Sequence, residues 1–155
     1  MLGHSNLPLH QFIELLTYHQ VTALIDVRLG PYCRQPQFCS GFLSRTLPDL
    51  YQRWPILACH RMIEQAAIVR ALEQVLSRCA RPCLLCSEAD YRRCHRYREL
   101  APLALTLGWG VREIRADGKL IEFGPGSKEE APGARHAKGF AITQNSFECN
   151  RKLTA

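Results

Sequence analysis

Val21-Thr22-Ala23-Leu24-Ile25-Asp26-Val27-Arg28 decides the fold. The run is β-branched and aliphatic without strict alternation, which is how a strand covered on both faces reads, and such strands belong to parallel sheets. Upstream, Leu9, Phe12, Ile13, Leu15 and Leu16 fall on one helical stripe, so a helix is expected over about residues 8–19 with Pro8 in its first turn. Only Met1 and Leu2 precede the loop-like Gly3-His4-Ser5-Asn6, so a first strand is expected to be very short.

Downstream, Gly30-Pro31 breaks the strand, and Ser40 is placed to cap a short helix carrying Phe42, Leu43 and Leu47. Leu50 to Arg61 shows no clear period and reads as a packed loop or a short strand. Met62 to Arg78 has an amphipathic helical stripe, followed by a second buried run, Pro82-Cys83-Leu84-Leu85, ending at Cys86. A further helix is expected from about Arg93 to Leu107, kinked by Pro102 and closed at Gly108. Val111–Arg115 and Lys119–Phe123 alternate around Asp117-Gly118, a strong hairpin signal. Strand and helix alternate, so the expectation is an α/β fold in three layers: a mostly parallel sheet with helices on both faces and a C-terminal edge hairpin. The domain is read as residues 1–123, and 124–155, which has no period, as a disordered tail.

Composition narrows the function. The 155 residues carry a net charge of +6, and sixteen of the twenty basic residues are arginine. The planar guanidinium fork suits phosphate and carboxylate, so the bias points toward anionic partners: an anionic small molecule or nucleic acid. No apolar run reaches the roughly 18 residues that a membrane-spanning helix needs, and no basic segment precedes an apolar one at the start. The chain is therefore expected to be cytoplasmic, without a membrane partner and with its eight cysteines reduced.

Ligands of open α/β sheets bind at the carboxyl ends of the strands. Three polar clusters follow expected strands: Gly3-His4-Ser5-Asn6, Asp26-Val27-Arg28 through Arg34, and Cys86-Ser87-Glu88-Ala89-Asp90-Tyr91-Arg92-Arg93-Cys94-His95-Arg96. The last places a thiol at a strand end and a Cys-His-Arg triplet at a helix start. Such surroundings lower a cysteine pKa from about 8.5 to roughly 3.5–7.5. The candidate catalytic residues are Cys86, His95, Glu88 and His4; the candidate anion- or substrate-binding residues are Ser5, Asp26, Arg28, Arg34, Cys94 and Arg96. Asp90, rather than Glu88, is the better helix cap. Asp26 and Arg28 share one face of a strand and can equally be a structural ion pair.

Together these motifs, with Pro31, Pro36 and Phe38, resemble the family catalogued as domain of unknown function 488. The resemblance spans about residues 2–115 and implies a three-layer α/β fold and these site positions without naming a reaction. It also implies a fuller opening strand than Met1-Leu2 and a Leu-Gly-Gly segment that Leu50–Arg61 lacks.

Three sharper patterns bear on the same residues. Cys86 to Arg92 matches Cys-x5-Arg, the phosphate-cradling loop of thiol phosphatases, but so does Cys39 to Arg45, and this composition produces about one match by chance. A zinc site on Cys86, Cys94 and His95 has the ligand types without a usual spacing, and no metal is expected. Cys86 and Cys94 could instead form a reversible disulfide. The expectation is thus a thiol-dependent enzyme acting on a phosphate-bearing or other anionic substrate, its cofactor unknown. The alternative is a non-catalytic module that binds nucleotide or nucleic acid.

Overall fold

A computed structural model of the protein describes residues 1–4, 7–30, 34–58 and 64–124. One sheet of six strands organises the molecule: β1 (Leu2–Gly3), β2 (Ala23–Asp26), β3 (Tyr51–Arg53), β4 (Pro82–Cys86), β5 (Val111–Ile114) and β6 (Leu120–Phe123), in the order β3-β2-β4-β1-β5-β6. All neighbours run parallel except β5 and β6, the expected edge hairpin. Its turn holds Gly118 at φ +81, a left-handed conformation that favours glycine.

Two buried clusters cover the two faces of the sheet. On one, α3 (Gln65–Arg78) and α4 (Ala101–Thr106) bring Leu72, Val75, Ala101 and Ala104 against Ile25, Val27 and Leu84. On the other, α1 (Leu9–Tyr18) and α2 (Ser40–Thr46) bring Phe12, Leu16 and Leu43 against Leu24 and Leu85. Successive β-strand side chains point to opposite faces, so β2 and β4 supply both cores, which explains why neither alternates apolar with polar residues. Truncating a fully buried leucine such as Leu24 or Leu85 to alanine is expected to cost about 2–5 kcal/mol.

The helix boundaries follow local chemistry. Pro8 sits one residue before α1, in an extended conformation, rather than in its first turn. Ser40 does not cap α2 with its side chain; its hydroxyl donates to Asp26 Oδ2 at 3.4 Å, because the buried carboxylate is the stronger acceptor. The region without a clear period holds β3 and a single 3-10 turn, Pro55–Leu57. The helix expected from Arg93 is divided. Tyr91–Arg93 forms a 3-10 turn, Arg96–Leu100 a π-helical turn in which Ala101 N–H bonds to Arg96 O, and α4 follows. Pro102 has no N–H for the ladder, so the break falls just ahead of it. Gly108, at φ +83, closes the segment as its sequence position implied.

Among the described residues no helix is long and apolar enough to cross a membrane.

Candidate functional site

The carboxyl ends of β1, β2 and β4 adjoin. His4 N–H donates to Cys86 O at 3.1 Å, and Val27 N–H donates to Leu85 O at 3.1 Å, so the residues leaving the three strands share one rim. Gly3 makes the rim possible. A Cβ there would lie 1.9 Å from Glu88 O and 2.8 Å from Arg96 Nη2, so the loop after β4 crosses the end of β1 through space that only glycine leaves open.

That loop is built from its own hydrogen bonds. Asp90 Oδ1 accepts from Arg92 N–H at 3.2 Å, Arg93 N–H bonds to Asp90 O, and Cys94 N–H bonds to Tyr91 O, each at 3.0 Å. Asp90 is therefore the cap, as its position suggested. Cys94 is extended (φ −90, ψ 143), whereas His95 is helical (φ −60, ψ −26). In a continuous strand, consecutive side chains diverge to opposite faces. The change of conformation between these residues turns both side chains toward Cys86.

The sulfur of Cys86, the sulfur of Cys94 and a ring nitrogen of His95 all lie within 4.8 Å of one another, with Cys94 Sγ 3.8 Å from His95 Nδ1. Both cysteines are free thiols and both are buried. Hydrogen bonds from Cys94, then from His95 and the Glu88 amide, hold the Cys86 thiol far below the ordinary thiol range against the opposing effect of burial. The Cys94 thiol is pushed up, first by its bond to Cys86 and then by burial.

Among the described residues Arg96 is the largest fully buried side chain. Its Nε donates to Cys94 Sγ at 3.2 Å, its Nη2 to Glu88 O at 2.9 Å, and its Nη1 to both oxygens of Glu113 at 3.3 and 3.4 Å. A buried guanidinium is tolerable only when paired, and Glu113, 2% exposed on β5, supplies the opposite charge. Arg96 thus ties the Cys94 sulfur and the Glu88 carbonyl to Glu113.

A second group lies beside the first. Arg28 grips Asp26 with two parallel bonds, Nε to Oδ1 at 2.8 Å and Nη2 to Oδ2 at 2.6 Å, and both residues are buried. The backbone N–H of Arg28 adds a third bond to Oδ1 at 3.0 Å, and the Tyr51 hydroxyl donates to Oδ2 at 2.5 Å. Burial, reinforced by the bond to Asp26, pushes the Tyr51 hydroxyl up to about 12. Arg28 Nη1 lies 3.3 Å from His4 Nε2, and a guanidinium has only donors, so this nitrogen accepts. The His4 ring also stacks on Phe38, with centroids 4.3 Å apart. The ion pair thus also positions the histidine that leaves β1.

The expected residues divide accordingly. Cys86, Cys94, His95 and Arg96 form one cluster; His4, Asp26 and Arg28 form its neighbour. The Glu88 carboxylate is exposed, and its contacts to the cluster are made by its backbone. Arg34 is exposed. Ser5 and Pro31 lie outside the described residues. Arg92 lies over the Tyr91 ring at 5.5 Å, its Nε donates to the Tyr91 hydroxyl at 3.3 Å, and its amide is taken by Asp90 Oδ1.

Sequence reasoning missed Glu113, Tyr51 and Ser40. Glu113 was detectable: in Val111-Arg112-Glu113 it shares strand parity with apolar Val111, and a carboxylate on the inward face requires a buried cation. Tyr51 and Ser40 gave no such signal, because their roles depend on β3 and α2 packing beside β2.

A cavity of about 530 Å³ opens at the opposite ends of the strands, lined by Met1, Leu72, Leu76, Leu100 and Trp109. Its lining is mostly apolar, with His19, Arg81 and Arg112 among the polar residues. The one cysteine lining it, Cys83, is buried, and burial raises its pKa. Reactive groups, rather than volume, single out the rim. In comparisons with known protein families, curated proteins and solved structures, nothing matches the chain.

Proposed function

We propose that the chain is a thiol-dependent enzyme that uses the rim on a phosphate-bearing or otherwise anionic substrate, with Cys86 as its nucleophile. The observation that carries this reading is the clustering of Cys86 Sγ with Cys94 Sγ and a ring nitrogen of His95, all within 4.8 Å of one another, which places two donors beside one sulfur. Such donors favour the thiolate, and the thiolate is the reactive form. Arg96 and Glu113 hold Cys94 in place. In the reaction the Cys86 sulfur forms a bond to the electrophilic atom as its bond to the leaving group breaks, and His95 delivers a proton to the departing atom. His4, held by Arg28 and Phe38, is the second proton carrier at the rim. Arg34, with Arg92 and Arg93, supplies exposed positive charge for drawing in an anion. The likeness to the uncharacterised family in its three motifs belongs to this same proposal.

The test is turnover of simple anionic esters, p-nitrophenyl phosphate and p-nitrophenyl sulfate, by the wild-type protein and Cys86→Ser, with nucleotide and single-stranded RNA binding measured alongside. Turnover lost in a Cys86→Ser protein of unchanged circular dichroism is the expected result. Turnover that survives the substitution removes Cys86 as nucleophile. The non-catalytic reading is favoured instead by the absence of turnover together with nucleotide or RNA binding that tolerates Cys86→Ser and weakens steeply with salt.

A further inference from the structure

We infer that Cys86, Cys94 and His95 form a binding site for a thiophilic divalent cation, Zn²⁺, with a fourth coordination position left open. The geometry is close to what the ion needs. Tetrahedral zinc with Zn–S of about 2.3 Å and Zn–N of about 2.0–2.1 Å sets its ligand atoms roughly 3.5–3.8 Å apart. Cys94 Sγ and His95 Nδ1 are already at 3.8 Å, and all three ligand atoms lie within 4.8 Å, so contraction by about an ångström at most closes the site. Adjacent ligands are unusual for one ion because consecutive side chains diverge. Here the turn from extended Cys94 to helical His95 removes that obstacle.

Three further features favour a metal. Arg96 Nε already donates to Cys94 Sγ, the outer hydrogen bond that steadies a ligating thiolate, and Glu113 anchors Arg96 in turn. The charges also close: two thiolates offset the 2+ ion, and Arg96 offsets Glu113, so the loaded site adds no net buried charge. Two sulfurs and one imidazole suit zinc over magnesium or calcium, which take oxygen ligands.

Zinc here occupies both sulfurs. The metal-bound protein is therefore the silent form of the thiol and the metal-free protein the reactive one. The site does not depend on the nucleophile reading, since its ligands would bind zinc whether or not Cys86 attacks a substrate.

The experiment begins with chelator-treated full-length protein under reducing conditions, titrated with Co²⁺ and then Zn²⁺, while residue-resolved iodoacetamide labelling is followed by mass spectrometry. The inference expects one equivalent of Co²⁺ to give the intense visible bands of tetrahedral cobalt with thiolate-to-metal charge transfer, displaced by Zn²⁺. It also expects one equivalent of Zn²⁺ to slow labelling of Cys86 and Cys94 at least about tenfold while Cys39 and Cys79 are unaffected. Cys94→Ser and His95→Gln should weaken binding at least about tenfold. Should either variant fail to fold by circular dichroism, the wild-type labelling pattern decides alone. Only the pale octahedral cobalt spectrum, equal protection of all cysteines, or full binding by folded His95→Gln overturns the site. Rapid Cys86 labelling that zinc does not slow defeats the metal site and leaves the nucleophile standing; slow labelling without metal combined with stoichiometric zinc binding does the reverse.

Discussion

Arg96 and Glu113 form an ion pair with Nη1 3.3 Å from Oε1, and neither side chain is more than 2% exposed. The pair joins the helix start after the thiol loop to β5, and through Arg96 Nε it reaches the Cys94 sulfur. Removing one partner strands the other as a buried charge, at a cost of about 3–5 kcal/mol. Glu113→Ala is expected to lower stability by that amount in urea denaturation. Arg96→Met with Glu113→Leu should be less destabilised than either single change, because no charge is left unpaired. A double variant as unstable as the sum of its parts would show that the pair is not coupled.

Gly3→Ala tests the loop crossing. The new methyl group would lie 1.9 Å from the Glu88 carbonyl oxygen, and backbone cannot step aside as a flexible side chain can. The expected loss is about 1–3 kcal/mol, together with displacement of the loop that carries Cys94 and His95. Thermal unfolding measures the first. Slower alkylation of Cys86 measures the second.

Tyr51 gives the neighbouring group a pH signature. Its folded-state pKa of about 12 lies above the ordinary value of 10.0. Between those values the unfolded chain has released the proton and the folded chain has kept it. The contribution of Tyr51 is therefore fully present below pH 10 and is lost as pH rises toward 12. Denaturation across this window should show stability falling more steeply for the wild type than for Tyr51→Phe. The same variant should be less stable at pH 7 by about 1–3 kcal/mol, the usual worth of a hydrogen bond to a charged group. Parallel pH slopes for the two proteins would detach Tyr51 from Asp26.

Much of this architecture was legible because it is repetitive. The largely apolar, non-alternating runs at Val21–Val27 and Pro82–Leu85 read as strands covered on both faces, and Asp117-Gly118 as a tight hairpin turn. The rim followed, since parallel strands place their carboxyl-end loops side by side. Pairwise geometry within the rim was not legible. Nothing local to Arg96 says that its guanidinium turns inward to Glu113, and nothing local to Ser40 says that Asp26 will claim its hydroxyl. The same blindness applied to Cys94 and His95: their adjacency argued against a shared ligand, and only the backbone turn between them reverses that argument.

The outer support of the thiol pair should be visible without any substrate. Arg96→Lys keeps a charge but loses the fork that reaches Cys94, Glu88 and Glu113 together. The variant is expected to fold with reduced stability and to alkylate Cys86 several-fold more slowly. Rescue of wild-type labelling by lysine would mean that charge alone suffices.

The most direct measurement is the labelling rate of each cysteine in metal-free, reduced protein at pH 7, resolved by peptide mass spectrometry with limiting iodoacetamide. The account predicts that Cys86 reacts at least about tenfold faster than the buried Cys83 and the half-buried Cys39 and Cys79, and that Cys94→Ala, which removes the donor, removes most of the difference. Uniform slow labelling of all the cysteines, unchanged by Cys94→Ala, would contradict it.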